Sequence, residues 1–302
     1  MQKTYNVIAD HDAMRLDRWL RKNIDNLPQG LIEKFLRNGN IKVNKRKIKS
    51  SYKVREDDKI SLFNVRIKKQ NHKNTNYTPS KKILTEIENE IIFDNEDYIV
   101  INKISGLPTQ KGTKSNKNVI DIFRKSIFFS NSEPYTVHRL DKDTSGILII
   151  GKNRKTAQLF TSLFRLRKIH KTYLAICYGE LKNDKGVLDQ DLIRYEGKKK
   201  IIEKSKTNYK VIDKNSNCSL LQMNPITGRK HQLRKQLSLI GHPIYGDFKY
   251  TFDKKFKTKN KELMLHSYEI KFIINNQKYT FKALLPNYFK ELIRTKRLRF
   301  LN

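Results

Sequence analysis

An α+β protein in two modules is the fold class that the sequence predicts, and three observations point to it. Apolar residues at helical spacing near the start give way to short alternating stretches. A polar segment with no hydrophobic period follows, over residues 66–82. Beyond it, short apolar runs bounded by turn residues recur, the mark of strands. The expected division is a small α/β module over 1–65, a polar linker over 66–82 and a larger module over 83–302. A chain of 302 residues is long enough for each module to bury its own core.

In the small module, Leu16, Leu20 and Ile24 recur at i, i+4, i+8, with Asp12 expected to cap the helix. Pro28 and Gln29 open a second helix through Ile32 and Leu36, and Gly39 stands where a left-handed C-cap belongs. Ile41 and Val43 alternate with Lys42 ahead of a turn at Asn44 and Lys45. Val54 and Ile60 bracket a second turn at Glu56, Asp57 and Asp58. Lys42, Lys45, Arg46 and Lys47 crowd the hairpin, and Arg15 begins a basic face on the first helix.

In the larger module, Ile91 to Phe93 and Tyr98 to Ile101 flank a turn and read as a hairpin, followed by a loop at Ser105, Gly106, Leu107 and Pro108. Ile147, Leu148, Ile149 and Ile150 read as a buried strand. Residues 171–176 alternate as a strand with Tyr173 near its start. A Thr227-Gly228 turn opens an expected helix carrying Arg229, His231 and Arg234.

Composition bounds the partner. There are 64 Lys and Arg against 30 Asp and Glu, a net charge of +34, and such a surface attracts phosphate and releases counterions on binding. A coding bias toward Lys, Asn and Ile would also raise the charge, so on its own it implies only a polyanion. The two cysteines, Cys177 and Cys218, form no Cys-x-x-Cys, and the seven His show no ligand spacing, so no metal is expected. No signal peptide and no membrane span are expected either, which fits a soluble cytoplasmic protein.

The most informative segment is His138-Arg139-Leu140-Asp141-Lys142-Asp143-Thr144-Ser145-Gly146, leading into the aliphatic strand. It presents a carboxylate beside a cation at the mouth of a buried strand. Read alone, Asp141 could equally pair with Arg139 and close the turn. Tyr173 could be a core aromatic, and Arg234 a simple phosphate contact.

The whole string resembles the active-site signature of the pseudouridine synthases that modify large-subunit ribosomal RNA and some transfer RNAs. The resemblance runs from the first module to Leu285-Pro286, and it implies a mixed-sheet catalytic domain. Asp141 matches the catalytic carboxylate, Tyr173 the active-site tyrosine and Arg234 the arginine that pairs with the carboxylate. Arg139 matches the arginine beside the flipped base, and Gly228, Arg229, His231 and Gln232 complete a third motif. Residues 15–17, Leu20, Ile32, Gly39, 41–44 and Val54 resemble an S4 RNA-binding module, which implies RNA contacts from Arg15, Lys42, Lys45, Arg46 and Lys47. The departures are Asp57, where that module usually has Gly, Ile104, where the family has Pro, and Gln236, where many members have His.

Uridine isomerisation breaks the N1–C1′ bond and forms a C5–C1′ bond without net redox change or hydrolysis, so no cofactor is expected. A carboxylate serves it as nucleophile or as a base on the ribose, and a nearby cation keeps that carboxylate ionised. The resemblance implies large-subunit ribosomal RNA as partner, a monomer, and a target closest to that of C-type large-subunit synthases, with D-type the alternative. Two further readings compete. A glycoside hydrolase could use Asp141 with Asp143, although one pair within a turn is thin support. A non-catalytic ribosome binder explains the first 80 residues and the charge, but not the three motifs.

Overall fold

The computed structural model describes residues 2–24, 27–65, 77–111, 117–197, 199–251 and 262–300. The chain divides into two compact units, Met1–Asn74 and Thr75–Asn302. Among the described residues no helix is long and apolar enough to cross a membrane.

In the first unit β1 (Gln2–Asn6) and β2 (Ile41–Val43) flank β3 (Lys59–Phe63) in an antiparallel sheet, with α1 (Leu16–Asn23) and α2 (Gln29–Asn38) completing the core. Leu16, Leu20, Ile32, Leu36, Ile41, Val54 and Ile60 are buried together with Trp19. Asp12 does not cap α1. Arg15 is the N-cap with no side-chain bond, and the Asp12 carboxylate instead accepts the Glu56 amide at 3.2 Å, tying the helix approach to the distant turn. Gly39 closes α2 at φ +76°, its amide donating to the Leu36 carbonyl. Asn44 and Lys45 both take positive φ, the geometry of a two-residue hairpin turn. Asp57 also adopts φ +66° without being glycine. The neighbouring Asp58 carboxylate holds that turn by accepting from Asn44, Tyr52 and the Arg55 amide.

The second unit is built on a ten-stranded mixed sheet. Its elements are α3 (Lys81–Glu88), β4 (Ile91–Asp94), β5 (Tyr98–Lys103), α4 (Val119–Phe123), β6 (Tyr135–Thr136), β7 (Ser145–Gly151), α5 (Arg154–Arg165) and β8 (His170–Tyr178). They continue through β9 (Lys185–Glu196), β10 (Lys199–Asn215), β11 (Cys218–Pro225), α6 (Gln232–Leu239), β12 (Leu265–Ile274), β13 (Gln277–Lys282) and α7 (Asn287–Thr295). The strand order is β4-β5-β7-β12-β8-β11-β10-β9, with β13 beside β12 and β6 beside β7. All seven residues of β7 are buried because both sheet faces are covered. Leu148 and Ile150 join the core beneath α3 and α4, while Ile147 and Ile149 join Phe160 of α5 on the other face.

Part of the expected linker, residues 66–76, lies outside the described residues. Its last two residues, Lys81 and Lys82, are not linker but the first turn of α3, where the Ser80 hydroxyl accepts the Ile83 amide. The helix belongs to this unit because Ile83, Leu84 and Ile87 bury its apolar face.

Candidate active site

The parallel pair β7–β12 lies at the centre of the sheet, and its close approach governs the loop that precedes β7. Gly146 takes φ +104°, and a Cβ there would stand 2.2 Å from the Ser267 carbonyl oxygen, so only glycine fits. The loop carrying Asp141 is pinned from several sides. The Lys103 ammonium, 1 % exposed, donates to the carbonyls of Ile104 (2.8 Å), Leu107 (2.9 Å) and Lys142 (3.0 Å). It thereby ties the loop at Ile104 to the residue after Asp141. Ser105 Oγ donates to the Asp143 carbonyl at 2.8 Å, and Thr109 Oγ1 bridges the amide and carbonyl of Leu140. His138 Nε2 accepts the Ile149 amide at 2.9 Å while its ring stacks on Phe164. Burial and the Lys171 charge lower its pKa to about 3, which keeps that acceptor neutral.

Asp141 opens into a cleft of about 930 Å³ whose walls include Arg139, Tyr173, Arg229, His231 and Arg234. Three segments distant in sequence therefore meet around one carboxylate. Arg234 approaches Asp141 at 3.8 Å and His231 Nε2 approaches it at 3.6 Å. Burial raises the Asp141 pKa above the usual carboxylate value, and Arg234, Arg139 and Lys103 oppose that rise without cancelling it. The His231 contact is not an ion pair at neutral pH. Desolvation and the charges of Arg234, Lys249, Lys230 and Lys235 hold the imidazole down at about 4.

The expected helix begins later than its motif. α6 starts at Gln232, and His231 is its N-cap in a left-handed conformation, so Arg229 and His231 belong to the turn before it. Only Arg234 rides on the helix. Arg229 is exposed and leans on the β9–β10 hairpin, donating to the Lys204 carbonyl at 3.1 Å and facing Glu203 at 3.7 Å. Gln236 is fully buried and bonds Thr207, Ser205 and the Leu188 carbonyl, so it holds α6 to that hairpin. Tyr173 is half-buried between two cores, and desolvation pushes its phenol up to about 12, so the hydroxyl is protonated at neutral pH.

Two site residues escaped the sequence reading. Asp247 grips Arg234 with two bonds, Nε to Oδ2 at 2.7 Å and Nη2 to Oδ1 at 2.8 Å, so the main partner of Arg234 is Asp247 and not Asp141. Tyr250 places its ring 5.2 Å from the Arg234 guanidinium and its hydroxyl 2.8 Å from His231 Nδ1. In the sequence Gly246-Asp247 reads only as a turn beneath the site, and the pairing with Arg234 is not visible there. The residues expected to bind RNA from the first unit have different settings there. Arg15 is bound by Asp17 at 2.7 Å, Lys42 lies over the Phe63 ring, and Lys45, Arg46 and Lys47 are exposed.

Residues 97–239 match the family model described as RNA pseudouridylate synthase. The ribosomal large subunit pseudouridine synthase C of Rickettsia bellii (strain RML369-C) is 36 % identical, covering 93 % of this chain and 97 % of that protein. Its namesake from Haemophilus influenzae is 30 % identical over 96 % of this chain and 94 % of that one. Among solved structures, human RNA pseudouridylate synthase domain containing 4 shares the fold, with a TM-score of 0.64 over 73 % of this chain and 98 % of that one, at 23 % identity. Identity of this extent over nearly the full length, together with the matched family model, means that the chain belongs to the RNA pseudouridine synthases.

Proposed function

We propose that this enzyme isomerises uridine to pseudouridine in large-subunit ribosomal RNA, with Asp141 as its catalytic carboxylate. The observation that carries the reading is the convergence of Asp141, Tyr173 and Arg234, from three separate segments, on one cleft. The names of the two bacterial relatives supply the substrate class, and their C-type designation favours C-type target uridines over D-type. Asp141 attacks as nucleophile or acts as base on the ribose; either role needs the ionised carboxylate that Arg234 and Arg139 favour. The N1–C1′ bond breaks, the uracil turns, a C5–C1′ bond forms, and the proton on C5 leaves while N1 gains one. Tyr173 stacks on the turning base with its hydroxyl toward C5. Burial keeps that hydroxyl protonated at neutral pH, so little phenolate is present to take the C5 proton and positioning is its larger contribution. Arg139, exposed at the cleft rim, fills the gap left by the flipped nucleotide. Arg229 and His231 contact the same strand.

The first unit acts as an S4-like RNA-binding module, with Lys45, Arg46 and Lys47 on phosphates and Lys42 and Arg15 beside them. Its net positive hairpin is what an RNA-docking module requires. The deciding experiment uses large-subunit RNA carrying uridine tritiated at C5. The wild-type chain should release tritium and leave pseudouridine. Asp141→Asn, which keeps shape and removes charge, should bind that RNA and release none. A mutant retaining a tenth of wild-type turnover would remove Asp141 from the role.

A further inference from the structure

Lys171 lies in the cleft two residues before Tyr173 on β8, and no carboxylate pairs with it among the described residues. Its surroundings are built rather than fluid. Asn224 Nδ2 donates to the Lys171 carbonyl at 3.2 Å and to Thr172 Oγ1 at 2.9 Å, fixing the backbone. Two of the neighbouring cations differ in this respect. Arg234 is neutralised by Asp247 at 2.7 Å, and Arg229 faces Glu203. Lys171 is the reverse case. Burial lowers its pKa, and no nearby carboxylate opposes the shift. A half-buried ammonium without a counter-charge costs stability in the free protein, and an incoming anion relieves that cost.

The lining of the cleft also includes Arg165, Arg167 and His170, all exposed. Arg167 is held at the end of α5 in a left-handed conformation, with the following amide, that of Lys168, bonded to the Leu163 carbonyl. Along a strand, side chains at i and i+2 share a face about 7 Å apart. That is close to the separation between a base and the phosphate of its own nucleotide.

We infer that Lys171, backed by Arg165 and Arg167, is a subsite for one phosphodiester of the RNA strand, beside the uridine engaged by Tyr173 and Asp141. The inference rests on the reading of the site given above, and it names the substrate group that the uncompensated charge receives. A lysine suits the task because its compact charge accepts a phosphate oxygen from several directions. A neutral uracil carbonyl would leave the charge uncompensated.

The test is a substitution cycle on the full-length protein. Binding is measured for wild type, Lys171→Gln and Lys171→Arg on a large-subunit RNA stem-loop that contains one unpaired uridine. The RNA is used as an all-phosphate strand and as a set with one neutral methylphosphonate at each linkage flanking that uridine. Lys171→Gln should weaken binding of the all-phosphate RNA about tenfold and lower the slope of log affinity against log salt by about 0.7. Lys171→Arg should stay within about threefold of wild type. One methylphosphonate should cost the wild type as much as the mutation does, and cost Lys171→Gln nothing more. The melting temperature of Lys171→Gln should hold or rise, since an uncompensated charge is removed; a fall would mark Lys171 as a structural residue. Losses that add at every linkage, or a Lys171→Gln protein that binds like wild type, would overturn the subsite. Wild-type turnover on the all-phosphate RNA is scored separately. Its absence would count against the proposed function while the binding cycle still reads the subsite.

Discussion

Arg234 makes its close bonds to Asp247, at 2.7 and 2.8 Å, and reaches Asp141 at 3.8 Å. Both members of the close pair are buried, so Asp247 fixes the direction of the guanidinium and leaves one nitrogen to face the carboxylate in the cleft. Asp247→Asn should therefore act at a distance. Removing one charge from a buried pair costs about 3 kcal/mol, measurable by urea unfolding. Single-turnover rate should fall more than RNA affinity, because the cation facing Asp141 is no longer held. Unchanged stability and rate would mean that Arg234 keeps its position without Asp247.

Gly146→Ala tests the close approach between β7 and β12. The backbone there is in the left-handed region, and the added methyl would collide with the Ser267 backbone. Strain and clash together should cost at least about 2 kcal/mol, read as a lower urea midpoint with unchanged slope. The loop bearing Asp141 precedes this residue, so activity should fall even at temperatures where the mutant stays folded. A stable, fully active Gly146→Ala would show that the two strands can separate without moving the carboxylate.

The pH dependence follows from the raised pKa of Asp141. A reaction that needs the carboxylate ionised is lost as pH falls through the folded-state pKa, which lies above the ordinary carboxylate value of 3.8. Arg139 is one of the cations that lower this pKa, and it is exposed, so its replacement should not unfold the protein. Arg139→Gln should move the acid limb of single-turnover rate to higher pH, apart from any loss in the plateau. High salt should move the wild-type limb the same way, because screening weakens an exposed charge. A limb that stays put in the mutant would mean that Arg139 acts on the RNA alone.

The hairpin of the first unit gives a separable prediction. Lys45, Arg46 and Lys47 are exposed on a turn fixed by the positive φ of Asn44 and Lys45. Replacing all three by Ala should weaken RNA binding and reduce the salt slope by about 0.7 to 0.9 for each phosphate that is no longer neutralised. Turnover at saturating RNA should change little. An unchanged salt slope with a collapsed maximal rate would instead tie the hairpin to the chemistry.

The sequence by itself determined whatever depends on neighbours along the chain. Leu16, Leu20 and Ile24 announce a helix because burial at 3.6-residue spacing is a local property. Gly39 announces the end of the second helix, α2, and the aliphatic run into Gly151 announces a buried strand. Asp141, Tyr173 and Arg234 were singled out by the family resemblance that their short strings carry, since read alone each fitted an ordinary structural role as well.

Only the tertiary structure decided how those strings meet. Asp247 follows Arg234 by 13 residues, and nothing local says that a turn aspartate will seal a buried guanidinium. Lys103 is a basic residue at a strand end in the sequence. In the fold its ammonium is enclosed, and it ties three carbonyls across 39 residues. Asp12 lost its expected cap because a long-range amide, that of Glu56, competed for the same carboxylate. His231 left the helix because the turn before α6 is set by Gln232, whose side chain bonds Thr227, the Arg229 amide and Thr207. Periodicity specifies which side of an element is buried. It does not specify which buried polar group answers which, since those partners are chosen by the packing of distant strands.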